Sequence, residues 1–151
     1  MVKLFHPVYT FRERAPEWVL SIGLLMWGIA TSWHPEIFQS SSFAPLLYLA
    51  DPQTWVVWTT SVAMFRLVFL AINGAWRPTP HLRAIGSVGG FTIWGSLFFI
   101  SVFDDTNQRV TGIALYGMLV AFELMALWWA AGDAKIVDQM QSLKKQVNNG
   151  N

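Results

Sequence analysis

The 151-residue chain contains no cysteine and few charged residues, and both shortages limit the classes of protein to which it can belong. Without cysteine it can form neither a disulfide framework nor a thiolate metal site. Charged residues make up 13% of the sequence, whereas soluble domains carry about 25%. Ten basic and nine acidic residues leave a formal net charge of +1, which argues against a nucleic-acid partner.

Apolar residues, by contrast, are abundant. They make up 54% of the chain, nine tryptophans are present, and the mean hydropathy is +0.39. A helix needs roughly 20 apolar residues to cross about 30 Å of hydrocarbon, and four runs approach or reach that length, at residues 17–33, 53–73, 84–103 and 110–131. The sequence therefore predicts an all-α polytopic membrane protein, a bundle of four transmembrane helices with a short amphipathic C-terminal helix.

Capping and helix-breaking residues mark the ends of these four spans. Pro16 suits the first turn of the first span, and Pro35 ends that span. Asp51 and Pro52 form an N-cap and N1 pair before the second span, and Pro78 prevents that helix from continuing. The third span ends at Asp104 and Asp105, and Thr106 or Asn107 can cap the fourth, so each span has its own start or stop signal.

Basic residues are distributed unequally between the two sides of these spans. With Arg66 inside the membrane, only Arg109 lies on one side, and the remaining eight lie on the other: Lys3, Arg12, Arg14, Arg77, Arg83, Lys135, Lys144 and Lys145. Because cytoplasmic loops retain Lys and Arg, both termini are predicted to be cytoplasmic, in a membrane of the bacterial inner (plasma) type. The chain then divides into a cytoplasmic N-terminal segment (1–16), a four-helix transmembrane domain (17–131) and a cytoplasmic amphipathic tail (132–151).

Tryptophans fall near both predicted membrane boundaries, where amphipathic aromatic rings are enriched. The predicted interface anchors are Trp18, Trp76, Trp128 and Trp129 at the inner boundary and Trp33 and Trp55 at the outer boundary. This placement agrees with the orientation from the basic residues.

The first span also has some features of a cleavable signal peptide, because basic residues precede it and small residues lie near its end. Glu13 and Glu17 among those basic residues argue against this alternative. The apolar run also exceeds the usual signal-peptide core of about 7–15 residues. We therefore expect the first span to be retained.

Arg66 and Glu123 are predicted to lie at matching depths in the membrane. At about 1.5 Å per residue, Arg66 lies about 10 Å and Glu123 about 12 Å from the inner ends of the second and fourth spans. These two spans run in the same direction. Because an isolated charge at such depth costs several kcal/mol, we predict an intramembrane ion pair between Arg66 and Glu123.

Three interpretations of this pair remain open. It can be a structural link that fixes which helices are neighbours, or a titratable, substrate-facing site. Alternatively, Arg66 extends to the lipid headgroups and Glu123 is protonated.

Small residues recur at four-residue spacing in the third and fourth spans. Gly86 and Gly90 stand in "GSVGG", and Gly117 and Ala121 follow the same spacing. Such residues allow helices to approach closely in lipid. They are predicted to be helix-packing residues, either within the bundle or on a face that self-associates.

Two segments outside the spans, the loop after the first span and the C-terminal tail, are also apolar or amphipathic. The loop after the first span is apolar, and Ser42 can cap a short interfacial helix there. This loop is predicted to re-enter the headgroup region as a simple connection to the second span, with a lid or partner-docking element as the alternative. In the tail, Ile136, Met140, Leu143 and Val147 form one stripe that is too short for a strong coiled coil. The tail is predicted to continue the fourth helix, lie on the membrane, or pair with copies of itself.

The sequence lacks a set of residues typical of catalysis. His6 and His81 are predicted on one side of the membrane and His34 on the other, so the histidines cannot converge on one metal ion. Asp104 and Asp105 are better explained as turn and capping residues than as a cation site. We therefore expect no enzymatic activity, no cofactor and no metal.

A four-helix membrane protein without a large loop most often acts by assembly. We expect an oligomeric pore or lesion, resembling the holins that bacteriophages use at lysis, or a subunit of a larger membrane complex. Its partners would be the lipid bilayer and either copies of itself or other membrane subunits, not nucleic acid. The alternative is a small proton-coupled transporter that uses Arg66 and Glu123.

Overall fold

A computed structural model describes residues 14–75, 80–103 and 109–149, and these residues are almost entirely helical. The α-helices are α1 (Ala15–Trp33), α2 (Pro52–Ala75), α3 (Pro80–Phe103) and α4 (Arg109–Asn149). Two short 3₁₀ helices, Pro35–Gln39 and Ala44–Tyr48, connect α1 to α2. The described residues contain no β-strand, so the all-α prediction is confirmed.

Three of these helices are long and apolar enough to cross a membrane. The candidate spans are Pro52–Ile72, Pro80–Phe103 and Arg109–Gln146, which is consistent with the predicted integral membrane class. α1 is not among them. Pro16, Glu17 and several Ser, Thr and Gly residues lower its hydropathy.

The helices pack mainly against their neighbours in the chain. α1 packs on α2, α2 on α3, and α3 on α4 over the most extensive contact, while α4 also touches α1. α2 and α3 run antiparallel, since Gly86 of α3 lies against Arg66 of α2 and Gly89 lies against Val62, one turn earlier in α2. Of the three candidate spans, α3 is the most buried, so its side chains and glycines determine much of the interior.

α2 begins at the predicted cap. Asp51 Oδ1 accepts a hydrogen bond from the Thr54 backbone N–H at 2.9 Å, and Asp51 Oδ2 accepts one from the Thr54 hydroxyl at 2.7 Å. These bonds, the backbone one first, lower the pKa of Asp51 from its ordinary value. Pro52 follows as the first helical residue because its missing N–H would have no partner there.

The loop between α1 and α2 folds over one end of the bundle. Its apolar residues Phe38 and Leu46 are fully buried, and Trp55 Nε1 donates to the Leu46 carbonyl at 3.1 Å. The second 3₁₀ helix has Phe43 at its N-cap position and no side-chain cap, so the predicted role of Ser42 is wrong. The loop is more than a simple connection, because burial of its apolar side chains holds it against the helices.

Of the alternatives predicted for the tail, the structure shows continuation of the fourth helix, and the tail does not form a separate short C-terminal helix. α4 continues from Arg109 to Asn149 as one helix of 41 residues, and the described glycines, including Gly132, all have negative φ. Asp133 and Asp138 bond to side chains of α3, which holds the helix on the far side of Gly132. At about 1.5 Å per residue α4 is about 60 Å long, roughly twice the hydrocarbon thickness.

Candidate functional site

Arg66 and Glu123 meet in the interior of the bundle. Arg66 Nη1 donates to Glu123 Oε1, with the whole residues 5% and 0% exposed. The structure therefore brings together two residues that are 57 positions apart, from α2 and α4. The guanidinium is directed at the carboxylate and not at a membrane surface.

Two glycines of α3 provide the space for this pair. A Cβ added to Gly86 would lie 2.7 Å from Arg66 Cγ. A Cβ added to Gly90 would overlap both Arg66 Nη1 and Glu123 Oε1, and would lie 2.7 Å from Glu123 Cδ. The Arg66 side chain therefore crosses the bare α3 backbone to reach α4, and these glycines accommodate side chains as well as helix packing.

The two residues of the predicted small-residue pair on α4 have different surroundings. Gly117 faces α3, since a Cβ there would lie 3.1 Å from Phe98 Cε2. Ala121 is exposed, so it does not pack against α3, and for this residue the alternative of a self-associating face stays a prediction.

A second ionic cluster links α1, α3 and α4. Arg83 Nε donates to Glu17 Oε2 at 2.9 Å, Arg83 Nη2 donates to Glu17 Oε1, and Arg83 Nη1 donates to Asp133 Oδ2 at 2.6 Å. Glu17 and Arg83 are buried, while the Asp133 side chain is half-exposed. The two-point contact between Arg83 and Glu17 is the strong, directional form of an ion pair.

This second cluster was not predicted from the sequence. Arg83 was assigned to a cytoplasmic loop, and Glu17 served only as evidence against a signal peptide. A usable signal was present, because Glu17, Arg83 and Asp133 all lie near the same predicted boundary of three different spans. Opposite charges at one depth on neighbouring helices favour pairing, as for Arg66 and Glu123.

The two ionic clusters lie along one face of α3. Arg83, Gly86 and Gly90 follow one another at three- and four-residue intervals, Ser87 is next to Gly86, and all four are buried. The Glu17 carboxylate also lies within electrostatic range of Glu123. Every buried charged side chain among the described residues therefore belongs to an ion pair of this interior.

The predicted tryptophan anchors occupy different environments. Trp33, Trp128 and Trp129 are exposed and Trp18 is half-buried, whereas Trp76 lies outside the described residues. Trp55 is 2% exposed, so its prediction as an interface anchor is wrong. The Leu46 carbonyl satisfies its indole N–H, and its ring stacks on Trp58 with the centroids 5.8 Å apart.

The described part of the chain offers few groups that could bind a metal ion or a small ligand. No group of three or more His, Asp or Glu side chains there is arranged to hold a metal ion. An open groove of about 600 Å³ contains His81, Lys135 and Asp138, and His81 Nε2 lies 3.2 Å from Asp138 Oδ1. Asp104 and Asp105 lie outside the described residues.

No protein-family model, no curated protein and no solved structure matches this chain. Its function is therefore inferred from its own residues. Three features bear on it: the buried ion pairs, the apolar outer surface, and the long α4 helix.

Proposed function

We propose that this protein is a non-enzymatic integral membrane subunit that acts by assembling into a larger membrane complex. One observation carries the proposal: the buried charged residues Glu17, Arg66, Arg83 and Glu123 all form ion pairs with one another within the chain. Such pairs specify which helices are neighbours, and breaking one leaves a costly unpaired charge. A bundle held in this way presents a fixed surface to partners.

The extension of α4 supports the same proposal. Asp138 of α4 lies level with His81, at the start of α3, so the residues of α4 beyond Asp138 pass the end of that helix. The extension carries exposed Met140 and Leu143. An apolar stripe on a projecting helix is suited to binding another helix.

We further propose that α1 completes a four-span bundle. Its 19 residues measure about 28 Å, close to the hydrocarbon thickness of about 30 Å. α1 packs along α2, with Gly28 against Thr60 and Leu24 in the shared core, so it lies at the depth of a candidate span. Its other side exposes Val19 and Met26, as a lipid-facing surface would.

The four-span proposal predicts the topology of reporter fusions. A reporter after Asn151, or inserted between Arg77 and His81, is expected to score cytoplasmic. A reporter between Ser40 and Phe43 is expected to score external, because that loop carries no basic residue. Paired phosphatase and fluorescent-protein fusions at each site measure this. An external C-terminus would contradict the four-span topology.

A holin-like, lesion-forming protein would also act by assembly, but the surface of the described residues favours it less than it favours a subunit of a membrane complex. A water-filled lumen between copies needs a polar face, but exposed positions of the spans are predominantly apolar, as at Val68, Val88 and Phe122. The hydroxyl of Thr92, an exposed polar residue, donates to the Val88 carbonyl of its own helix. The subunit version therefore fits the surface better.

Native mass spectrometry after mild detergent extraction tests the assembly proposal. We expect a species of defined stoichiometry larger than the 17.1 kDa monomer, because exposed apolar surface on α4 is available for a partner. Induced expression should leave the membrane potential intact, which separates a subunit from a lesion-forming protein. A uniform monomer extracted from native membranes would contradict assembly.

One observation favours a small proton-coupled carrier as the second candidate. Glu123 Oε2 is buried and receives no hydrogen bond from the described residues. A buried carboxylate oxygen without a donor is unusual in a membrane interior, where ionisable residues often mark proton pathways. A carrier would lose pH-dependent flux when Arg66 and Glu123 are both replaced, whereas a subunit would keep its complex.

A further inference from the structure

α4 carries a continuous apolar stripe, which we call the α4 stripe. Apolar residues and glycine occupy positions 114, 118 and 121, then 125, 129 and 132, then 136, 140 and 143. Each group of three lies 11 residues after the previous one. An 11-residue repeat has a period of about 3.67 residues per turn, close to that of a straight α-helix.

The α4 stripe faces away from the bundle. All nine of its positions are exposed. The opposite side of α4 holds Glu123, Ala126, Ala130 and Ala134, which are buried. A stripe with nearly the helical period remains on one side, so this face continues for about 44 Å along α4.

The stripe also passes from lipid into water. About 20 residues of a helix cross the hydrocarbon, so a span that starts near Arg109 ends near Ala130. Ile136, Met140 and Leu143 lie beyond that point, in a segment that also carries Lys144 and Lys145. Lipid chains can cover the first part of the stripe, but they do not reach its last three residues.

We propose that a second copy of this chain covers the α4 stripe, forming a parallel, two-fold symmetric pair of α4 helices. The inference rests on the proposed function, because it names a partner for the assembling surface. A soluble partner would cover only the aqueous part of the stripe. A second copy, inserted with the same topology, presents the same apolar residue at every height through both environments.

The composition of the stripe fits such a symmetric pair. Ala114, Ala121 and Gly132 are small, which allows two helix backbones to approach closely in the membrane. No charged residue occurs on the stripe, so like charges do not face each other across the two-fold axis. The larger Ile136 and Leu143 bury apolar area where water would otherwise contact them.

Single-cysteine cross-linking in native membranes tests this pair, since the chain has no cysteine of its own. We expect Met125→Cys, Gly132→Cys and Ile136→Cys each to form same-site disulfide dimers on oxidation. Leu124→Cys and Lys145→Cys are the controls. Leu124 is 49% exposed, close to the 44% of Met125, but points to a different side of α4. The stripe variants should give dimer fractions several times those of the controls.

A charge on the stripe should then remove the cross-link. Ile136→Asp, at an exposed position that leaves the bundle intact, is expected to weaken pairing measured with Met125→Cys by about a hundredfold, because two like charges would face each other. Lys145→Asp should have little effect. Equal cross-linking at all positions, or none, would overturn the inference. If the protein still purifies with a different chain in that case, the subunit function stands; if it is monomeric in native membranes, both proposals fail.

Discussion

Replacing Arg66 with leucine, or Glu123 with leucine, is expected to lower the free energy of unfolding in detergent by about 3–5 kcal/mol. Each single change leaves the other charge buried without a partner in a site where the two residues are 5% and 0% exposed. The double replacement removes both charges and should recover much of the loss. Thermal or denaturant unfolding of all four forms gives the coupling energy.

An exposed pair in the same molecule provides the control. His81 and Asp138 also join two helices, but both side chains are more than half exposed. Their double-mutant cycle should show a coupling of at most about 1 kcal/mol. Additivity of the two leucine changes to within about 0.5 kcal/mol would mean that Arg66 and Glu123 do not interact.

The double leucine variant also separates the two candidate functions. If it is stable and still enters the larger complex, the pair has a structural role and the subunit proposal gains support. If it is stable but a pH-dependent flux of the wild-type protein disappears, the pair is the working site of a carrier.

Gly90→Ala is expected to destabilise the protein by about 3 kcal/mol or more, because it combines overpacking with displacement of a buried ion pair. Its added Cβ would overlap an oxygen of Glu123 and a nitrogen of Arg66. Gly95→Ala is the matched control five residues further along α3, where a Cβ meets nothing within 4 Å. It should be neutral or stabilising by up to about 1 kcal/mol, since alanine is the better helix former.

A combined variant identifies the cause of the Gly90 effect. When Arg66 and Glu123 are both leucine, alanine at position 90 no longer displaces an ion pair. The decrease in the free energy of unfolding that it causes should then differ from the decrease in the wild-type protein. Chemical unfolding of the purified variants measures this difference. Equal tolerance of alanine at Gly90 and Gly95 would show that the ion pair does not lie against α3.

Much of the fold follows from local sequence features. The apolar runs, with the cap at Asp51 and Pro52, predicted α2 and α3 to within four residues of their ends. Their signals are local, because hydropathy, capping by Asp51 and the missing N–H of proline act within one helix. The Arg66–Glu123 contact was also predictable, since a constant helical rise converts sequence position into depth.

Other features depended on how the helices pack. Gly86 and Gly90 lie against Arg66, while Gly95 lies in open space, although all three are glycines in one apolar helix. Sequence spacing gives the relative angle of residues around a helix, but not which side meets a neighbour. The cluster of Arg83 with Glu17 and Asp133 was missed for a different reason, because Arg83 was assigned to a loop outside the spans although the three charges lie near one predicted boundary.

By itself, then, the sequence determined the all-helical class with helices apolar enough to span a membrane, most helix ends and the matching of Arg66 with Glu123, because these depend on composition, capping and helical rise. Tertiary structure alone decided that Gly90 accommodates that pair, that Trp55 is buried under the loop, and that α4 continues past Gly132. Each of these outcomes depends on contacts between segments that are distant in the chain. A glycine costs a helix only about 1 kcal/mol, which bonds from Asp133 and Asp138 to α3 can offset.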